Sequence, residues 1–400
     1  MGKETWIIEP HDPLIVRDGR PFSNTAGIRA KSVDFPFPST TTGGARTRSG
    51  LEKVKGDLSM FDKELSDEVL QIEVSGALLV EVQTDSVRLL LSAPADCLVV
   101  KAEEEGEKNR YPLVPLENDN PNFCSNLDGD LHLLGTTQIV KGKAQSEPRF
   151  WYWDEFRQWL KKADEPDVVD IQRLGHQGPT KEQRTHVRIL DEESGYRKKA
   201  NSDGGLFQTR GLEFTQANEK NPLSSAKRLG LMIEVDRRNF GDNISNGLAP
   251  LGGERRIVSW LKGKATFPAC PDEIKNRIVT EKACRLILLT PAILEQGFKP
   301  TWLKTARGLN VVVEAIAVNR TQVISGWDFI KRKPKPTRRM CPAGTVFFLK
   351  LSDGDIGKWI NEIWFHCVSD ELQDRKDGFG LAALGTWNGK FWKFEEALFE

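Results

Sequence analysis

The chain has 400 residues, enough for two or three domains and, with 38% of them hydrophobic, enough to bury a large core. Lys plus Arg number 57 and Asp plus Glu number 57, so the formal charge is zero, which argues against a uniformly basic nucleic-acid binder and leaves the distribution of charge to decide. No apolar run approaches the roughly 18 residues of a membrane span, no basic-then-apolar leader opens the chain, and the cysteines (97, 124, 270, 284, 341 and 367) are scattered without a Cys-x-x-Cys pair; buried, reduced thiols and a cytoplasmic setting are expected.

Trp6–Glu9 reads as a short strand that runs into a stiff polar segment, His11 to Phe22. Pro10, Pro13 and Pro21 fix backbone angles there, and Gly19 permits a turn. Asp12, Arg17, Asp18 and Arg20 crowd this loop, either to lace it together as ion pairs or to serve as a binding surface. Ser39–Ser49 follows as the opening of a helix that continues to Leu51, although Gly43, Gly44 and Gly50 weaken it by about 1 kcal/mol each. Its N-terminal hydroxyls at Ser39 and Thr40, the unpaired N–H groups of a first helical turn, and the mobile charge of Arg46 and Arg48 suit a phosphate; an ordinary capped helix with solvated arginines is the other reading. No Gly-x-x-x-x-Gly-Lys-Ser/Thr exists, so this is not a P-loop.

Strand-like runs come next at Ile72–Val82, Val87–Leu91 and Leu98–Lys101, each rich in Val, Leu or Ile. From about Glu103 to Leu229 the chain is polar, rich in Gly and Asn and irregular in period, as an insertion would be, with one helical pattern at Phe156, Trp159 and Leu160 behind Asp154. Within it, alternation over Thr185–Ile189 places His186 and Arg188 on one strand face, a pair able to grip a phosphate and stack on a base; a structural histidine is the alternative. Gly230–Val235 is a strand, and Leu251-Gly-Gly-Glu-Arg-Arg256 is a hairpin tip that carries Arg255 and Arg256.

In the last third, strands are predicted at Arg285–Thr290, Val311–Val318 and Thr345–Leu351, with a short helical piece at Thr301–Lys304. Ile356, Trp359, Ile360 and Ile363 form a helical apolar stripe behind Asp355, a fitting N-cap. Between the strands, Lys331-Arg332-Lys-Pro-Lys-Pro-Thr-Arg-Arg339 is kept extended by its prolines, as a solvated loop or as a clamp on a phosphate backbone. Gly378-Phe-Gly-Leu-Ala-Ala-Leu-Gly-Thr-Trp387 is not a dinucleotide fingerprint; its glycines at 378, 380 and 385 let backbone N–H groups approach an anion, or let an apolar turn pack. The charge is segregated: six basic residues against two acidic ones between Leu14 and Arg48, and six against one between Trp327 and Cys341, with acid gathered at Glu103–Glu107 and near the C-terminus. Neither a metal motif nor a cofactor motif is present.

Few helices among many hairpin-prone strands, without β-α-β alternation, predict an α+β fold, and the element order fits two ferredoxin-like units: residues 1–270, with the insertion at about 103–229, and residues 271–400. The wording of the motifs adds to this. Pro10-x-Asp-Pro-Leu14 with Arg17-Asp-Gly-Arg-Pro-Phe22, Thr185-His-Val-x-Ile189 with Leu206-Phe207, Gly252-Gly-Glu-Arg-Arg256 and the C-terminal glycine-rich run resemble, in order, the signatures of one RAMP family, subunit three of the type III-B CRISPR (Cmr) effector. One departure is Leu190, which stands before Asp191 where the family has an acid. The resemblance implies two ferredoxin-like RAMP domains in a ribonucleoprotein of antiviral defence. It implies a subunit that is not catalytic, holds the 5′ handle of the CRISPR RNA, and contacts the large palm-domain subunit (subunit two) and the RAMP backbone subunit (subunit four). It places the Ser39 segment and the glycine-rich loop beside RNA. Two other readings stay open. One is a metal-independent endoribonuclease acting on CRISPR RNA precursor, with His11 and His186 as acid and base. The other is a protein-only scaffold.

Overall fold

The first strand, β1 (Glu4–Pro10), buries side chains on both faces: Trp6 and Ile8 enter one core, and Ile7 joins Val80 and Met232 on the other side. A strand of that kind belongs in the middle of a sheet. The computed structural model describes residues 3–17, 32–117, 131–162, 165–187, 206–216, 226–236, 244–301, 309–328 and 333–393. After β1 the main elements are α1 (Pro38–Lys53), β2 (Glu73–Val82), β3 (Val87–Ser92), β4 (Cys97–Lys101), β5 (Glu107–Pro115), β6 (Phe150–Tyr152), α2 (Trp153–Lys161), β7 (Thr180–Val187), β8 (Leu206–Glu213), β9 (Lys227–Asp236), β10 (Gly247–Leu251) and β11 (Arg256–Lys262). The second half holds α3 (Asp272–Glu281), β12 (Ala283–Leu288), β13 (Val311–Ala317), β14 (Gln322–Ile324), β15 (Arg338–Met340), β16 (Val346–Leu351), α4 (Ile356–Ile363), α5 (Leu372–Lys376) and β17 (Ala382–Thr386). The fold is α+β and mostly strand, as the sequence predicts.

The two halves share a strand order. In the first, β9 lies between β2 and β1, and β11 flanks β1, every pair antiparallel, with α1 crossing from β1 to β2. In the second, β16 lies between β13 and β12, and β17 flanks β12, again all antiparallel, with α4 between β16 and β17. Each unit therefore reads second, third, first, fourth across its sheet. The N-terminal sheet is widened to nine strands by β3, β6 and β10 together with two short strands. The predicted helix at Thr301–Lys304 falls almost wholly outside the described residues.

The polar stretch read as an irregular insertion is more ordered than its period indicates. Phe150, Trp151 and Tyr152 of β6 are all buried, and β6 joins the main sheet beside β3. β4 and β5 start a separate small sheet, while β7 and β8 pair into a two-stranded ribbon. The helix behind Asp154 starts one residue earlier, at Trp153. Asp355 caps α4 as its sequence predicts, its Oδ1 accepting from the Lys358 N–H at 2.8 Å. Two glycines that weaken α1 on propensity are there for contact: a Cβ on Gly44 would stand 2.8 Å from Leu251, and one on Gly50 2.4 Å from the Phe61 ring.

One continuous core joins the halves. Leu78, Leu91, Trp151 and Trp159 of the first pack in the same cluster as Leu286, Phe347 and Leu384 of the second. At its centre lies a buried ion pair, Arg285 Nη1 to Asp96 Oδ2 at 2.5 Å, with both side chains 1% exposed. Its remaining valences are filled: Asp96 accepts from the Trp159 indole, and Arg285 donates to the carbonyls of Trp159 and Thr386. A charge pair is tolerable at such depth when its hydrogen bonds are met in this way. No helix among the described residues is long and apolar enough to cross a membrane. The five described cysteines are free thiols, and burial pushes each of them up from the ordinary thiol range.

Candidate nucleic-acid interface

Three of the sequence landmarks meet at one place. The segment after β1 pairs with the base of the β7–β8 ribbon through reciprocal Leu14 and Leu212 backbone hydrogen bonds of 2.9 and 2.8 Å. It then pairs with the β10–β11 hairpin tip, where the Gly253 N–H donates to Ile15 O at 2.7 Å. Gly252 has φ +73°, and a Cβ there would stand 2.7 Å from Ile15 O, so the close approach requires glycine. Arg17 bonds Glu254 across this junction at 3.0 Å. Arg255 is exposed at the tip, and Arg256 is half-buried. His11 Nε2 lies 2.6 Å from Ser259 Oγ, and His186 Nε2 lies 2.8 Å from Thr209 Oγ1, well out along the ribbon. Six residues of strand separate His186 from the ribbon base at Thr180, about 20 Å at 3.3 Å per residue. Each histidine is thus held by a hydroxyl partner of its own.

Two other landmarks also meet, but inside the molecule. The Arg46 guanidinium is 7% exposed and donates to Ile72 O, to Asp377 Oδ1 and to Lys376 O. Thr42 Oγ1 donates to Asp377 O. Gly378, at φ +90°, presses against β2, where a Cβ would sit 2.6 Å from Gly76 O and 2.8 Å from Val74 O. The N–H groups of Gly378, Phe379, Gly380 and Leu381 donate to Arg375 O, Asp374 O, Pro291 O and Thr290 Oγ1. These facts correct the expectation of a phosphate-binding loop at Gly378 and Gly380: the loop is a packed joint, and its donors are engaged within the chain. Gly385 is not in the loop at all. It sits in β17 opposite Arg285, and a Cβ there would come within 3.0 Å of the guanidinium. Arg46 is corrected in the same way, as a tie between α1 and the residues before Gly378. Arg48 is corrected too: it donates to Ser245 O at 2.6 Å, stacks over Trp260, and burial lowers its pKa. Its work is to hold the start of β10. Arg20, Arg188, Lys331 and Arg332 lie outside the described residues.

A groove of about 960 Å³ opens between the halves. One wall carries Phe35, Arg149 and Phe150; the other carries Asn319, Arg320, Gln322 and Val323. Phe37 and Pro38, where α1 begins, lie in its lining, so the exposed Ser39 and half-buried Thr40 stand at its edge. Arg339 is exposed and lies directly opposite Val323, a residue of the groove lining, in the β14–β15 pairing. Among the described arginines, Arg17, Arg46, Arg110, Arg157, Arg173, Arg184, Arg228, Arg285 and Arg338 each have a carboxylate within 4 Å. Arg149, Arg320 and Arg339 have none among the described residues, and Asp34, the one carboxylate in the described lining, is held by Lys181 at 2.5 Å. The groove is therefore cationic within a neutral chain, with an aromatic floor.

Sequence reasoning missed Arg149 and Arg320. Each is a single arginine in an unremarkable context, and what makes them a pair is the fold. Arg339 belongs to the basic, Pro-spaced segment, whose charge is the readable signal.

Two strand units wound alike, joined over a cationic groove, define the setting in which similarity becomes informative. Residues 6–387 match the model of a family described as CRISPR-associated protein (Cas_Cmr3), which sets the chain among the RAMP proteins of type III-B CRISPR systems. More narrowly, the chain belongs to the Cas_Cmr3 family. It is similar to a chain of a type III-B Cmr-β complex bound to cognate target RNA, with 15% identity, 96% of this chain and 99% of that chain covered, and a TM-score of 0.46. It is similar to a chain of Cmr-β bound to cognate target RNA and AMPPnP, at 16% identity, 86% coverage of both chains and a TM-score of 0.44. A chain of the Csm3–Csm4 subcomplex of a type III-A interference complex is more distant, at 12% identity, 86% and 92% coverage and a TM-score of 0.31. No curated protein matches the chain by sequence.

Proposed function

We propose that this chain is a non-catalytic RNA-binding subunit of a type III-B (Cmr) effector complex, that it holds the 5′ handle of the CRISPR RNA, and that it docks on the large palm-domain subunit and the neighbouring backbone subunit. Family membership supplies the assembly. The two units of like strand order are read as tandem ferredoxin-like RAMP domains.

The observation that carries the RNA reading is the clustering of unneutralised arginines (Arg149, Arg320 and Arg339) around one groove in a chain of zero formal charge. Guanidinium groups of this kind position a ribose-phosphate strand, while base contacts select it. Arg255, at the hairpin tip, extends the exposed positive surface.

The test is the affinity of the purified chain for handle RNA over a range of salt concentrations. Each phosphate neutralised on a single strand contributes a slope of about −0.7 in log K against log salt. The three groove arginines therefore predict a slope of about −2 or steeper. A flat salt response would remove the electrostatic basis of the reading.

A further inference from the structure

The β7–β8 ribbon leaves the main sheet by two legs. One runs from the short strand Gly175–His176, which pairs with β6, through Gly178 and Pro179 into Thr180. The other runs from Glu213 into Thr215–Gln216, which pairs with β9. Three groups staple the legs together at this root. The Gly178 N–H donates to His176 Nδ1 at 2.9 Å, and the Gln216 side-chain amide donates to Gly178 O at 2.7 Å. A hydrogen bond between the half-buried His176 ring and the Gln216 side chain closes the triangle. Gly178 is buried at φ +81°, and a Cβ there would stand 2.5 Å from the Phe150 ring, so the turn lies flat on that ring.

A backbone N–H donates only to a bare ring nitrogen, so His176 is neutral and carries its proton on Nε2. The Gln216 nitrogen is committed to Gly178 O, which leaves its oxygen to accept from Nε2. The neutral ring thus uses both nitrogens, and a second proton must go onto Nδ1, where it would face another donor. Charged groups surround the ring from three strands. Lys227 of β9 repels a cation there. Glu81 of β2 attracts one, but it already accepts from the Tyr152 hydroxyl of β6 and pairs with Lys227. Arg88 of β3 lies 3.8 Å over the Tyr152 ring. Burial is the largest influence and, against the Gln216 bond, lowers the His176 pKa below its ordinary 6.5. A folded pKa below the unfolded one gives stability that is complete above about pH 6.5 and declines as the pH falls from there towards the folded value.

We propose that the ribbon root is an acid-sensitive staple: a proton taken up at His176 Nδ1 ejects the Gly178 N–H, and the leg into Thr180 loosens while the other leg stays paired to Leu14. The ribbon is set firmly at neutral pH and gains play under acid, whatever it binds.

The test uses the full chain with ring-15N histidine. There are five histidines, and His176→Asn identifies the His176 signals. At neutral pH these should show a bare Nδ1 and a protonated Nε2. Amide hydrogen exchange, corrected for its intrinsic pH dependence, is then read over roughly pH 5 to pH 7.5. Protection of residues 178–187 should fall by a factor approaching about ten per pH unit below about pH 6.5, the value for one coupled proton, while Ala283–Leu288 in the core keeps its protection. His176→Asn is the second arm. Its side-chain oxygen accepts the same N–H as an Asx-turn and does not titrate, so this variant should keep the protection seen at neutral pH and lose the acid response. His176→Ala should be loose at the root at every pH. A proton on Nδ1 at neutral pH, parental protection that does not change with pH, or an acid response that persists in His176→Asn each overturns the proposal. Loosening of Ala283–Leu288 in step with the root marks general acid unfolding and overturns it as well.

Discussion

Arg46 Nη1 donates to Asp377 Oδ1 at 2.6 Å, a contact that spans 331 residues of sequence and fixes α1 against the loop leading to Gly378. Asp377 keeps 17% of its side chain in contact with solvent, whereas Arg46 is nearly enclosed. Arg46→Ala is expected to destabilise the fold by about 3 kcal/mol, since it strands a partly buried carboxylate and two carbonyls. Asp377→Ala should cost less, about 1–2 kcal/mol, because Arg46 keeps its bonds to Ile72 O and Lys376 O. Denaturant melts of the two single variants and the double variant measure the coupling. Additive losses would show that the pair does not act as a unit.

The pair Arg285–Asp96 is deeper, and its loss should be the most damaging single change in the chain. Arg285→Ala leaves Asp96 charged at 1% exposure, a loss of about 3–5 kcal/mol. The measurement is the denaturation midpoint. A variant that folds within 1 kcal/mol of the parent, about one hydrogen bond's worth, would contradict the buried-pair account.

Gly378→Ala separates packing from RNA binding. The substitution puts a Cβ against two backbone carbonyls at a positive φ, so stability should fall by more than about 1 kcal/mol. Handle affinity per folded molecule should stay unchanged, because the N–H groups of this loop are bonded within the chain. A selective loss of RNA affinity without loss of stability would restore the loop as a phosphate ligand.

The thiols set a pH dependence. Burial raises Cys341 from 9.0 to about 11 and Cys270 from 9.0 to about 12, so both remain protonated in the folded state where an unfolded chain would begin to ionise them. A folded pKa above the unfolded one gives stability that is complete below pH 9 and is lost as the pH climbs through the folded value. Melting temperature should therefore decline progressively between about pH 9 and pH 11. Alkylation of these cysteines at pH 8 should be slow in buffer and rapid in denaturant, as read by mass spectrometry. Fast native labelling at Cys270 or Cys341 would count against their burial.

Removing the groove charges tests the interface itself. Replacing Arg149, Arg320 and Arg339 together by Ala should reduce the magnitude of the salt slope by about 2, at 0.7 per phosphate. None of the three makes an ion pair among the described residues, so stability should change little. An unchanged slope would move the RNA elsewhere.

Local order was readable from sequence, and long-range assembly was not. Asp355 with the stripe Ile356–Ile363 announces a capped helix, and Trp6–Glu9 announces a strand, because both signals are carried by neighbours in sequence. The landmark motifs were visible, and so was the kinship they imply. Their local roles were harder to read. Gly378 and Gly385 look alike in sequence, yet one adopts positive φ against a neighbouring strand and the other clears space for a guanidinium in a flat strand. Arg46 and Arg48 look like surface charge until packing places carbonyl groups around them. The groove depends on Phe35, Arg149 and Arg320, which come together only when the two sheets close on one core.

That common core has a mechanical result. Trp151 and Trp159 are wedged in the same apolar mass as Leu286 and Phe347, so the jaws on either side of the groove are parts of one solid piece rather than hinged plates. Any flexible polymer that enters the gap would then bear the cost of becoming ordered, with the gap as a fixed gauge for it.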